Sequence, residues 1–362
     1  MNKRILISAL ILIFSVAGCI TEPELKTPFE SFKPTALNDG WEISTPSKEN
    51  IDSLGMISVF EDFHNDNHVW QVRSMTVIRN GKIVAESYTK DESDRNTLRP
   101  FWSITKQVTG ILVGIALDKG LITSLDDKIE KYLPEALENH PGKKNITVRD
   151  LLTMRSGIDY KNYGLSGDDS EILQQIPNSY LSFVLSKDLI YEPGTYFKYK
   201  DSDPQILSSI IQKVTGKKMS EWADEVLFSK IGLRKIEWLN YKDGTTLGSF
   251  GINSTPRAMA KIAQLVLNDG KYNEQQIVGK SYIDEMVKPL VEAGDKHFGY
   301  LWWSYPEYKT YFMSGNGRQL FFVFPEKELI VAITSEPNLQ GKFNLSTKVG
   351  REYAQRILAL CD

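Results

Sequence analysis

The sequence predicts an α+β fold: an antiparallel sheet flanked by helices and built from N- and C-terminal segments, with a mostly helical inserted domain. Three observations predict it. β-prone runs gather near the two ends of the chain, around residues 75–88 and 297–334. Between them apolar residues recur at helical spacing, with capping residues in front and glycines behind. The composition, 41% hydrophobic and 25% charged over 362 residues, is that of an ordinary globular chain of about two domains.

At the start, Lys3 and Arg4 precede an uncharged, mostly apolar run over residues 5–16, and Ala17 and Gly18 lead into Cys19. This is the form of a secretion signal and is too short to span a bilayer permanently. Residues 20–39 are rich in Pro, Thr, Lys and Glu without periodicity and read as a tether, so the folded body is expected from near Trp41. Two β-prone runs within residues 75–88 meet at Asn80-Gly81, a strong hairpin signal. Helices are expected over residues 104–119, stopped by Gly120, over 147–154, capped by Thr147, and over 203–215, stopped by Gly216. Others are expected over 220–228, 256–268 and 280–287. Residues 297–303, 309–313, 319–324 and 329–334 read as strands, and a helix over 345–360 closes on the sheet. The expected division is a signal peptide (1–18), a lipid-anchored linker (19–40), an α/β domain (41–125 and 288–362) and a helical domain (126–287). The cleft between the two lobes is the expected site.

Several functions are disfavoured. Lys plus Arg total 43 against 46 Asp plus Glu, with no basic block, so no nucleic-acid partner is expected. His64, His68, His140 and His297 form no metal motif, and neither metal nor cofactor is expected. No Gly-x-Ser-x-Gly is present, which removes the strand-to-helix nucleophile turn.

Ser-x-x-Lys occurs twice, at Ser87-Tyr88-Thr89-Lys90 and at Ser103-Ile104-Thr105-Lys106. Residues three apart on a strand point to opposite faces, whereas on a helix they share one, so only the second pair can meet. Its helix is apolar almost all round; burial there lowers a lysine's pKa and fits it to act as a base. On the local sequence alone, Ser103 reads as the N-cap of a core helix, with Lys106 snorkelling to water.

Further segments point beyond that local reading. Phe101-Trp102-Ser103-Ile104-Thr105-Lys106 is followed by Leu151-Leu152-Thr153-Met154-Arg155-Ser156-Gly157, by Glu192-Pro193-Gly194 with Tyr199-Lys200-Asp201, and by Met313-Ser314-Gly315-Asn316-Gly317-Arg318-Gln319. In order and spacing, over roughly residues 41–360, they resemble the serine β-lactamase-like family of class C β-lactamases, DD-peptidases, related esterases and 6-aminohexanoate-dimer hydrolases. Val16-Ala17-Gly18-Cys19 is similar to the lipobox of prokaryotic lipoproteins. The resemblance implies a β-lactamase/transpeptidase-like fold and a serine hydrolase that forms an acyl-enzyme. Ser103 would be the nucleophile, and Lys106 and Tyr199 would share the moving of its proton. The N–H groups of Ser103 and of Asn316, the latter on an edge strand, would form the oxyanion hole. Asp201, Ser314, Gly315 and Trp303 would bind substrate; Trp302, Tyr300, Tyr160 and Tyr163 are further candidates to line the pocket.

The sequence also departs from the family pattern. Asp201 stands where Asn is usual, and Met313 replaces a lysine that helps hold a substrate carboxylate. Efficient β-lactam hydrolysis is therefore not expected, unless Arg318 folds back into the cleft. The expected partners are a small ester or amide, including a linear amide or peptide-like substrate, and a membrane reached through lipid on Cys19. The expected location is outside the cytoplasm, lipid-anchored to the cell membrane on its periplasmic or extracellular face. The alternative is a non-catalytic cell-envelope binding lipoprotein that retains a penicillin-binding-protein-like cleft.

Overall fold

The computed structural model describes residues 26–66, 71–162, 178–336 and 346–362. Cys19, His68 and Tyr163 lie outside the described residues. The N-terminal part supplies β1 (Glu42–Ile43), β2 (Val72–Arg79) and β3 (Lys82–Tyr88). A small separate sheet joins β4 (Arg99–Pro100), β5 (Ile236–Trp238) and β6 (Ile252–Ser254), and β7 (Lys271–Tyr272) pairs with β8 (Gln275–Gln276). The C-terminal part supplies β9 (Val291–Ala293), β10 (Lys296–Phe298), β11 (Trp303–Tyr305), β12 (Thr310–Gly315), β13 (Gln319–Phe324) and β14 (Leu329–Ser335). Among the described residues, nine of these strands form one sheet in the order β1-β3-β2-β14-β13-β12-β11-β10-β9. Apart from the parallel pair β1 and β3, its neighbours run antiparallel.

Period-two alternation divides the sheet's side chains between two cores. Phe321, Val323, Ile330 and Ala332 enter one core, while Leu320, Phe322, Leu329, Val331 and Ile333 enter the other. The second core is closed by α1 (Ser53–Asn65) and α10 (Thr347–Leu358). The first is closed by α2 (Ile104–Asp118), α8 (Pro256–Leu267) and α9 (Lys280–Met286). Beyond α2 lies a helical lobe with α3 (Pro134–Leu137), α4 (Val148–Leu152), α5 (Tyr180–Leu185), α6 (Ser202–Thr215) and α7 (Met219–Ala223). Helix α8 thus packs on β2, β13 and β14, and α9 on α2, although both fall within the stretch 126–287.

Local chemistry explains the elements that carry the site. Asn80 and Gly81 take φ of 52° and 73°, the paired left-handed conformations of a two-residue hairpin turn. Thr147 and Asp150 cap α4 reciprocally, side chain to backbone, at 3.1 and 2.9 Å. Gly120 and Gly216, both at φ 68°, follow α2 and α6.

Three expectations change. Residues 297–303 are not one strand: β10 and β11 are separated by a bend in which Leu301 takes φ 62° and its N–H donates to Leu152 O at 2.9 Å. The run Gly299-Tyr300-Leu301-Trp302-Trp303 carries no alternation that would mark the break. The sheet β4-β6-β5 escapes notice because strands of two or three residues show no period. Residues 26–40 are not a free tether. Thr27 N–H donates to Thr89 O at 2.7 Å, Glu86 N–H to Phe32 O at 2.8 Å, and Phe29 and Phe32 pack on the second core. The ordered body therefore begins well before Trp41, and this strap was hidden by its irregular backbone.

Candidate active site

The site is built around the start of α2. Phe101 N–H donates to Ile252 O at 2.8 Å, tying the approach to β6, and its ring packs on Phe321. Trp102 then takes φ 50°, a strained conformation for a bulky side chain, and delivers Ser103 to the helix N-terminus. Ser103 makes no side-chain capping bond, so the plain N-cap reading does not hold. Its Oγ instead accepts from Lys106 Nζ at 2.9 Å.

Lys106 is fully buried, and its ammonium also donates to Ser249 O at 2.9 Å and to Asp201 Oδ1 at 2.6 Å. Burial pushes its pKa down, but the Asp201 carboxylate and Tyr199 outweigh that and raise it. The expectation of a lowered lysine pKa is thus overturned, because helix burial was legible and the carboxylate across the cleft was not.

Tyr199 and Asp201 sit on a segment laced to the loop after α4. Lys198 N–H donates to Met154 O at 3.1 Å, Gly194 N–H to Arg155 O at 2.8 Å, and buried Asp203 accepts from Ser156 Oγ at 2.7 Å. A Cβ on Gly157 would lie 2.0 Å from Tyr191 O, so this close crossing demands glycine. The Tyr199 ring lies 5.0 Å from Lys106 Nζ and 5.4 Å from the Trp303 ring. Asp201 reaches the cavity wall, yet its carboxylate is engaged by Lys106, and Ser249 Oγ donates to its carbonyl at 2.8 Å.

The end of β12 closes the site. Ser314, Gly315 and Asn316 line it, and a Cβ on Gly315 would lie 2.2 Å from Phe101 O. Only glycine lets the strand come this close to the turn carrying Ser103. Among the described residues, the N–H groups of Ser103 and Asn316 have no protein acceptor. β12 is not an edge strand, since β11, β10 and β9 lie beyond it. However, β11 pairs only with residues 310–312, so the stretch 313–316 has an open edge where α2 begins. Met313 points into the first core, while Gln319 binds the Ser335 backbone rather than the site.

The resulting cleft has a volume of about 380 Å³. It holds Ser103, Tyr199, Asp201, Trp303, Ser314, Gly315 and Asn316 together, and adds Trp102, Asn162, Phe250, Lys296, Arg318 and Thr347. Arg318, at φ 64° after Gly317 at 71°, is indeed turned to the cleft wall. Lys296 extends over Trp303, its Nζ 4.9 Å from the ring. No sequence signal marked Lys296, which stands on a three-residue strand after a loop. Trp302, Tyr300 and Tyr160 belong to the core instead. Ser87 lies elsewhere, 2.5 Å from His64 Nε2, while Lys90 faces Glu336 at 3.7 Å. No His/Cys/Asp/Glu cluster fit for a metal occurs among the described residues. A larger cavity, of about 620 Å³, shares no lining residue with this cleft. The convergence of a serine hydroxyl, a buried cation and free N–H groups, rather than size, makes the smaller one the candidate site.

Comparison with known proteins bears on the family and the fold. A D-aminopeptidase from Brucella anthropi is 30% identical over 176 residues, covering 45% of this chain and 32% of that protein. The match thus spans about a third of that relative's length. A Bacillus anthracis protein assigned as a 6-aminohexanoate-dimer hydrolase superposes with a TM-score of 0.70 at 19% identity, covering 93% of this chain and 90% of the other. The hydrolase EstCE1, which has promiscuous acyltransferase activity, gives 0.68 at 15% identity, covering 84% and 98%. At these identities the likeness speaks for a β-lactamase/transpeptidase-like fold. The family description "Beta-lactamase" matches residues 70–344, most of the sequence, and the chain belongs to that family.

Proposed function

We propose that the protein is a serine hydrolase that cleaves an ester or amide through an acyl-enzyme. The observation that carries this reading is the uncapped Ser103 Oγ, held at 2.9 Å by the fully buried Lys106 ammonium. Ser103 Oγ attacks the substrate carbonyl, and the Tyr199 oxygen, acting as a phenolate beside the Lys106 ammonium, takes its proton and becomes the phenol. Lys106, kept charged by Asp201, stabilises the negative charge that develops on Oγ. The N–H groups of Ser103 and Asn316 receive the carbonyl oxygen as it becomes an oxyanion. Collapse of that intermediate expels the alcohol or amine, which takes the proton from Tyr199. Water then enters, loses a proton to Tyr199 and releases the acid, while the proton returns to Ser103 Oγ.

Lys296 and Arg318 make one wall of the cleft cationic, which favours substrates bearing a carboxylate away from the scissile bond. Met313 leaves no cation at the usual position on β12, so a β-lactam carboxylate would have to be held by Arg318 or Lys296 instead. Nitrocefin turnover that falls in Arg318→Gln would show Arg318 to be that replacement, and no turnover would show that the wall does not replace the missing lysine. The run ending in Val16-Ala17-Gly18-Cys19 supports export and lipid attachment at Cys19, holding the enzyme at the membrane surface.

A fluorophosphonate probe should label Ser103, and Ser103→Ala should lower kcat by roughly three orders of magnitude or more. Ser87→Ala should leave hydrolysis within about twofold, since its hydroxyl engages His64 remote from the cleft. Absence of any adduct would favour the non-catalytic binding lipoprotein, and equal losses in the two variants would refute the assignment of Ser103.

A further inference from the structure

The cavity of about 620 Å³ lies between residues 37–41 of the strap, the start of α8 and residues 229–235, with Tyr272 in its wall. Six cationic side chains line it, and Asp39 is its one acidic side chain. Arg95 and Arg257 are matched by Glu86, and Arg257 also by Asp39 at 3.0 Å. Lys230, Arg234, Lys235 and Lys261 have no carboxylate within ion-pair distance among the described residues.

Lys261 is the informative member. It is only 3% exposed, yet among the described residues its ammonium has a single acceptor, Gly232 O at 2.7 Å. Burying an ammonium with N–H groups unmatched is costly, and such a group calls for an anion. Its surroundings leave room for one. A Cβ on Gly40 would come 3.1 Å from Lys261 Nζ and 3.7 Å from the Tyr272 hydroxyl; one on Gly232 would come 3.2 and 3.8 Å from the same atoms. Two glycines thus flank a spot on which an ammonium and a phenol converge. The Trp41 indole, donating to Arg257 O at 3.0 Å, fixes a planar apolar wall beside it. Burial also pushes the Lys261 pKa down, as expected of a cation lacking a close counter-charge.

We propose that this cavity is a second binding site, separate from the acyl-transfer cleft, for a small molecule carrying a phosphate group seated against Lys261 and the Tyr272 hydroxyl. A dianion suits the several unmatched cations better than a single carboxylate does, and lysine is a common point-charge partner for phosphate. The site does not depend on hydrolysis, so it stands or falls independently of the function proposed above.

Calorimetric titration of the full chain with inorganic phosphate tests it. Wild type should bind, Lys261→Met should bind at least tenfold more weakly, and Arg234→Gln, on the exposed rim, severalfold more weakly. Ester hydrolysis by Lys261→Met should be unchanged, and its melting temperature should hold, because the substitution removes an unmatched buried charge. No phosphate binding by wild type overturns the proposal. So does undiminished binding in both variants, or binding abolished by Lys296→Gln in the catalytic cleft. Vesicles of phosphatidylglycerol separate the sources: Lys261-dependent co-sedimentation assigns a lipid headgroup, and phosphate binding without co-sedimentation assigns a soluble phosphate compound.

Discussion

Lys106 and Asp201 are both buried and 2.6 Å apart, and each determines what the other can do. Asp201→Asn removes the carboxylate and leaves burial as the main influence on the ammonium, so the Lys106 pKa should fall. A lysine whose folded pKa is raised contributes stability that is fully present below the unfolded value of about 10.4 and is lost as pH rises through the folded value. Wild type should therefore exceed Asp201→Asn by about 1–3 kcal/mol at neutral pH, with the gap in melting temperature closing only above roughly pH 10. The alkaline limb of the kcat/KM profile should move to lower pH in the variant, since the proposed mechanism uses Lys106 as a cation. Identical profiles would show that Asp201 does not control Lys106.

Sequence made Ser103, Lys106 and Tyr199 visible because each stands in a short motif with fixed neighbours. Lys296 and Arg318 reach the cleft through sheet pairing and a left-handed turn, which no local spacing encodes.

At the scale of elements, the meeting of β12 with the start of α2 positions the two N–H groups assigned to the oxyanion. Gly315→Ala would place a methyl 2.2 Å from Phe101 O and push the strand away from Ser103. Loss of one oxyanion donor costs roughly a hundred- to a thousandfold in kcat, and a fall of this size is expected with KM little changed. Thr147→Ala should instead act on stability, costing about 1 kcal/mol by removing the α4 cap, with the loss read from thermal melting and kcat retained. Long elements such as α2, α6, β13 and β14 were legible within a residue or so from their periods and stops. The bend between β10 and β11, and the sheet β4-β6-β5, were not: tertiary contacts hold them, and their strands are too short to carry a pattern.

At the scale of the molecule, the chain's two ends complete one sheet, and the strap over residues 26–40 is sewn to it. Arg257, itself paired with Glu86, donates to Thr35 O at 2.7 Å, and Phe29 and Phe32 cover Phe60. Deleting residues 26–40 should therefore lower the melting temperature by several degrees, whereas a dispensable tether would leave it unchanged. Cys19→Ala should shift the processed protein from the membrane fraction to the soluble one; unchanged fractionation would rule out the lipid anchor.

The strap also sets a leash length. Only residues 20–25 separate Cys19 from Lys26, whose ammonium donates to Phe63 O at 2.8 Å. A fully extended chain covers at most about 3.6 Å per residue, so the anchor-to-body span is bounded at about 25 Å, little more than the radius of gyration of about 20 Å expected for a body of this size. With lipid on Cys19, as proposed, an enzyme held so short would search a layer rather than a volume. Its encounters would be confined to molecules that lie on, leave or enter the bilayer surface, at a local concentration set by the geometry of the leash.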